Sequence, residues 1–191
     1  MASVGAMNQR VQVMQLVYDE TEDIYIWDTL YTAWATAEMD TKSNLFSSVG
    51  IGARGVTFTM WANPKLTLLS ALWWKNQFCF VTSIVPVGDG LRSTVQAALC
   101  DPITCQADVN AETPGHRFPG ILTEKYLGHD QQEPMAVTTT TLVLVVPKVI
   151  TLDVGSSVRC GTVNYPVQIA HTLDKYKNEY EITRRADVGG V

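Results

Sequence analysis

Long hydrophobic runs are missing from this 191-residue chain: its most apolar stretch, residues 142–146, is bounded by threonines and Pro147. That is far short of the roughly 20 residues a membrane-spanning helix needs, so no membrane role is expected. Residues 1–7 carry no basic segment followed by an apolar one, so no secretory leader is expected either. The expected location is intracellular, or wherever a larger assembly carries the chain. Charge is sparse, at 17% of residues against 46% hydrophobic, which excludes a disordered chain.

Groups for catalysis and metal binding are also few. The three histidines, His116, His129 and His171, are scattered, and none sits at a metal-ligand spacing. Cys100 and Cys105 fit a zinc knuckle poorly, and with Cys79 and Cys160 they read as separate reduced thiols, with a disulfide or a metal site as the alternatives. Asp108, Glu112 and Asp130 lack the regular spacing of a calcium loop. There is no HExxH, no GxSxG, no phosphate-binding loop and no dinucleotide fingerprint. Gly50, Gly52 and Gly55 lack the strand-loop-helix setting that would make them a phosphate cradle. The reading is a non-enzyme with no cofactor and no metal.

The net charge of -5 argues against a protein that grips phosphates, whose mark is a basic patch. The nearest candidate is the pair Arg184-Arg185. An acidic lining that repels DNA and lets it slide suits this composition better.

What the chain has in abundance is β-strand pattern. Residues 10–17 (RVQVMQLV) and 55–61 (GVTFTMW) alternate apolar and polar positions, and residues 77–85 (QFCFVTSIV) and 138–146 are rich in β-branched side chains. Residues 24–37 read as an aromatic strand with a helix as the alternative, and residues 91–99 as a last strand or a short helix. Short strands are expected at 149–152, 157–159, 165–170 and 179–184. Asp19, Glu20, Glu22 and Asp23 form an acidic turn, and Lys75-Asn76 a second turn.

The fold class is mainly β: a small barrel over residues 1–100, a proline- and glycine-marked linker or extended loop over 101–120, and a second β unit over 121–191. One similarity links the halves. TFTMWANPKLTLL at 57–69 and TTLVLVVPKVITL at 140–152 share a strand, Pro-Lys, and a second apolar run. This leaves open a duplicated β unit and a coincidence of patterns, and with them two barrels in series or one elaborated barrel.

All five tryptophans, Trp27, Trp34, Trp61, Trp73 and Trp74, fall in the first half. Neighbours in a strand point to opposite faces, so Trp73 and Trp74 cannot both enter one core. At least one is expected at an interface, where aromatic anchors concentrate.

The order RVQVMQLV, then TAWATAE with its Trp34-Ala35 pair, then a glycine-containing loop, GVTFTMW, and WKNQFCFVTSI resembles the head-closure, or head-tail joining, proteins of tailed bacteriophages over about residues 7–99. The resemblance implies a small barrel with long loops. It also implies a ring of about six or twelve copies in the virion neck, assembled in the host cytoplasm. Such a ring sits below the portal or adaptor ring, meets tail terminator or tail tube proteins, and passes DNA without reading it. On that pattern residues 39–54, with Arg54, form the long inter-strand loop. Trp34, Trp61, Trp73, Trp74, Arg184 and Arg185 are the expected subunit or neck contacts, and Asp19, Glu20, Glu22, Asp23 and Arg54 face the axial channel. The alternatives are a tail-completion, tail-tube or capsid-decoration protein, and a monomeric carbohydrate-binding module that stacks sugars on exposed tryptophan.

Overall fold

The structure is a computed structural model and describes residues 7–40, 54–88, 90–108, 115–130 and 137–183. Among these residues there is no helix, and twelve strands follow one another along the chain. The chain divides into two units: Met1–Val17, Ile26–Ser47 and Gly52–Asp101 make the first; Tyr18–Tyr25, Ser48–Ile51 and Pro102–Val191 make the second.

The first six strands are β1 (Gln9–Asp19), β2 (Ile24–Asp40), β3 (Gly55–Trp61), β4 (Ala71–Trp74), β5 (Gln77–Pro86) and β6 (Arg92–Cys100). Their pairing runs β1-β4-β5-β6-β3-β2 and returns to β1, a closed six-stranded barrel with no free edge. Alternation decides what fills it. Val11 and Val13, Leu72 and Trp74, Cys79 and Val81, Val95 and Ala97, and Val56, Phe58 and Met60 all face inward and are buried together. Residues 24–37 are strand, not helix, and so are residues 92–100.

The second six are β7 (Ile103–Ala107), β8 (Arg117–Asp130), β9 (Val137–Pro147), β10 (Ser157–Cys160), β11 (Val163–His171) and β12 (Lys177–Ile182). They pair in the order β7-β10-β11-β12-β9-β8, and β8 returns to β7. Strand for strand this is the ring order of the first unit. Its interior is Cys105, Phe118, Leu144, Val146, Val158, Cys160, Tyr165, Val167, Tyr180 and Ile182, closed over by Ile150 and Leu152.

The likeness extends to local detail. β4 and β10 are four residues long, and each turns into the next strand through two residues. Lys75 and Asn76 both take positive φ, as a tight hairpin demands, and Gly161 does so at the first position of the other turn. β5 shifts register against β6 between Val81 and Ser83, and β11 shifts against β12 between Val167 and Ile169. From Ala71 and Ser157 to these bulges the two hairpins keep one constant spacing, so that Leu72, Trp74, Cys79 and Val81 match Val158, Cys160, Tyr165 and Val167.

Pro64-Lys65 lies between the third and fourth strands of its unit and Pro147-Lys148 at the end of the third, one position apart in the turn. The turn from Asn63 closes with Leu66 N–H on Asn63 O (3.0 Å), and the turn from Pro147 with Ile150 N–H on Pro147 O (2.9 Å). Each turn delivers a buried aliphatic side chain, Leu66 or Ile150, to its barrel.

Two expectations are corrected here. Residues 101–120 are not a linker: they contain β7 and the start of β8, and Gly120 is in the strand because a β-carbon there would stand 2.9 Å from Cys105 Sγ and 2.8 Å from Leu144 Cδ1. Residues 149–152 are not a strand. They belong to the β9–β10 connection, with Ile150 and Leu152 turned into the core. The connection is held by two polar side chains of β12. Asn178 donates to Ile150 O (2.7 Å) and Lys148 O (3.2 Å) and accepts from Lys148 Nζ (2.9 Å), while Tyr180 Oη accepts from Leu152 N–H (2.9 Å).

Candidate interaction surfaces

The strand alternation that builds the first core also decides which tryptophans remain outside it. Ala35 pairs with Met60 in the β2–β3 ladder and both are buried; Trp34 and Trp61 come next along the same two strands, on the outer face. They are 57% and 45% exposed, and Trp61 in turn pairs with Arg92 of β6. Trp73 is 37% exposed, whereas Trp74 is at 6% and packs edge-on against Phe58 with ring centroids 5.5 Å apart. The expectation that Trp74 contacts another subunit is therefore replaced by a core role. Its indole N–H reaches Gln9 Oε1 (3.3 Å), and Lys75 Nζ sits 4.6 Å from its ring centre. Trp27, half-buried, packs on Phe78 at 5.5 Å.

The acidic turn lies at the tip of the β1–β2 hairpin, a segment counted with the second unit. Asp19 Oδ1 accepts from Thr21 N–H (2.9 Å) and Glu22 N–H (3.3 Å), tightening the turn. Asp23 has a φ of 53°, and its carboxylate accepts from Tyr18 Oη (2.6 Å) and from His116 Nδ1. Arg117 donates to Glu22 O and stands 3.6 Å from its carboxylate. The rings of Tyr18, Tyr25 and His116 cluster with centroids 5.0–6.1 Å apart. Donation to Asp23 pushes the Tyr18 hydroxyl up to about 12, and the same bond, with that from His116, holds the Asp23 carboxyl below its usual value. Asp19 and Asp23 thus hold the hairpin tip together through hydrogen bonds, Glu22 faces Arg117, and Glu20 is exposed.

Arg54 lies just before β3, in a shallow open hollow of about 340 Å³ with Gln77, Leu99, Cys100 and Asp101. Burial pushes the Cys100 thiol of this hollow up to about 12, and it does the same to the Cys79 thiol, which does not line it. His171 Nε2 meets Glu181 Oε1 at 2.9 Å, and Lys177 Nζ meets Glu179 Oε1 at 2.6 Å. Among the described residues no three His, Cys, Asp or Glu side chains come together as a metal site. Arg184, Arg185, residues 41–53 and the side chain of His129 lie outside the described residues.

Charge is divided unevenly along the chain. The first unit holds six basic and five acidic side chains, the second eight and fourteen, so the acidic excess belongs to the second unit. No family model, curated protein or solved structure matches this chain.

Proposed function

We propose that this protein is a structural part of the head-to-tail junction of a tailed phage, assembling as an oligomeric ring below the portal or adaptor. In that role it extends the DNA channel, retains packaged DNA and offers the tail its attachment surface. The observation that carries this reading is the pair Trp34 and Trp61, neighbours on the outer face of a closed barrel and both about half exposed. Large aromatic side chains held on a rigid sheet suit an interface core. The acidic excess of the second unit suits a channel wall that repels DNA rather than gripping it.

The test is light scattering coupled to size exclusion, on the protein alone and mixed with portal, adaptor and tail terminator proteins of the same phage. A ring that forms with those partners, and is lost in Trp34→Ala/Trp61→Ala while the unfolding midpoint holds, is the expected result. A monomer that ignores every virion partner and retains an oligosaccharide would replace this reading with the carbohydrate-binding one.

A further inference from the structure

The second barrel contains a pair of thiols that the assembly role does not use. Cys105 of β7 and Cys160 of β10 are register partners on adjacent antiparallel strands, both turned into the core, with Sγ atoms 3.5 Å apart. The next pair along, Thr104 and Gly161, is joined by Gly161 N–H on Thr104 O (3.0 Å). Antiparallel ladders alternate bonded and non-bonded pairs, so Cys105 and Cys160 occupy a non-hydrogen-bonded pair. Such pairs hold their Cα atoms about 4.5 Å apart, inside the span a disulfide bridges. The absent side chain at Gly120 leaves the room that Cys105 Sγ occupies.

We propose that Cys105 and Cys160 are a cross-strand disulfide site, open in a reducing cytoplasm and closed by peroxide once the protein meets oxidising surroundings. The chemistry balances with hydrogen peroxide as oxidant, a molecule small enough to reach a pair that bulky disulfides cannot. The Cys160 thiolate attacks one peroxide oxygen; the O–O bond breaks and, with a proton, water leaves, giving Cys160 sulfenic acid. The Cys105 sulfur then attacks the sulfenic sulfur, losing its own proton, and a second water leaves with the S–S bond formed. Two thiols and one peroxide become one disulfide and two waters. The order follows from the thiol contact: Cys105 donates to Cys160 and is held protonated by that bond and by burial, while Cys160, as acceptor, ionises more readily.

The bond joins two neighbouring strands and encloses β8 and β9 in its loop, so closure restrains the second unit against opening. The proposal does not depend on the assembly role, because it concerns one barrel by itself.

The test uses the full chain carrying Cys100→Ser, since Cys100 and Cys105 share a tryptic peptide. Reduced protein is treated with peroxide under native conditions, quenched, digested and mass-analysed. The expected product is a peptide pair, residues 93–117 with 160–175, that a thiol reductant separates. At fixed urea the oxidised protein is expected to show about a hundredfold lower unfolded fraction of the second unit. The gain disappears on reduction and is absent in Cys160→Ala, each protein being compared only with its own reduced form. Thiols that stay free under native conditions would overturn the proposal, as would a cross-link that forms only in urea or one that brings no gain.

Discussion

Removing a single oxygen, by Tyr180→Phe, tests how the second barrel is closed. Tyr180 is fully buried, and its hydroxyl accepts the backbone N–H of Leu152 at 2.9 Å. Phenylalanine keeps the ring and fills the same space, so no cavity term enters. What changes is that the Leu152 N–H is left in an apolar core with no acceptor. An orphaned buried donor costs about 1–3 kcal/mol; losing the hydroxyl's own desolvation offsets part of this, leaving about 1–2 kcal/mol. For a small domain that is a fall in Tm of roughly 4–8 °C per kcal/mol. The chain supplies its own probes. All five tryptophans lie in the first unit, and of the seven tyrosines only Tyr31 does. Near-UV circular dichroism of tyrosine then follows the second unit in urea, and tryptophan emission the first. The tyrosine-reported midpoint is expected to fall. Asn178→Ala lowers it too, and the double variant falls by other than the sum, because both side chains pin the β9–β10 connection. An unchanged tyrosine-reported midpoint in Tyr180→Phe would refute the account of how residues 148–152 are held.

Trp74→Ala empties a core position and is expected to cost about 3–5 kcal/mol, whereas Trp73→Ala costs under about 1 kcal/mol; paired urea titrations read the difference. Gly120→Ala places a β-carbon 2.8 Å from Leu144 Cδ1 and 2.9 Å from Cys105 Sγ, and overpacking of about 1–3 kcal/mol should appear in the same assay. Spectrophotometric titration should find one tyrosine ionising near pH 12, and Asp23→Asn should return it toward 10. Because the folded value of Tyr18 is raised, its stabilisation is complete below pH 10 and is lost as pH rises to about 12. The depressed Asp23 carboxyl acts at the other end: its contribution holds above its unfolded value and is lost as pH falls through the folded one, so Asp23→Asn should flatten the acid limb of a stability–pH curve.

Strand pattern was readable wherever alternation was strong, as in RVQVMQLV and GVTFTMW, and the opposed directions of Trp73 and Trp74 followed from adjacency alone. The strands within 101–120 were hidden by Pro102, Pro119 and Gly120, residues that ordinarily mark loops. Here Pro119 sits near the start of β8, where proline is tolerated, and Gly120 makes way for a sulfur. The β9–β10 connection imitated a strand because Ile150 and Leu152 alternate, although they fold over the core without a ladder. The meeting of His116 with Asp23, 93 residues apart, and the shared face of Trp34 and Trp61 depend on strand register, which no local pattern carries. Pro64-Lys65 and Pro147-Lys148 mark corresponding places in the two units, but the constant spacing of the β4–β5 and β10–β11 hairpins became visible only through their bulges.

Two rings of the same order on one chain also set a hazard during synthesis. Each strand of the second ring emerges while its topological counterpart in the first already exists, and multidomain chains are prone to misassembly between such elements. β10 could invade where β4 belongs, since both are four-residue strands leading into a two-residue turn. Their cores differ enough to forbid the swap: Trp74, set against Phe58 in its own ring, has Cys160 as its counterpart, a side chain that would leave most of the tryptophan's volume empty. The difference between the two cores thus works against an exchange that the shared strand order alone would permit.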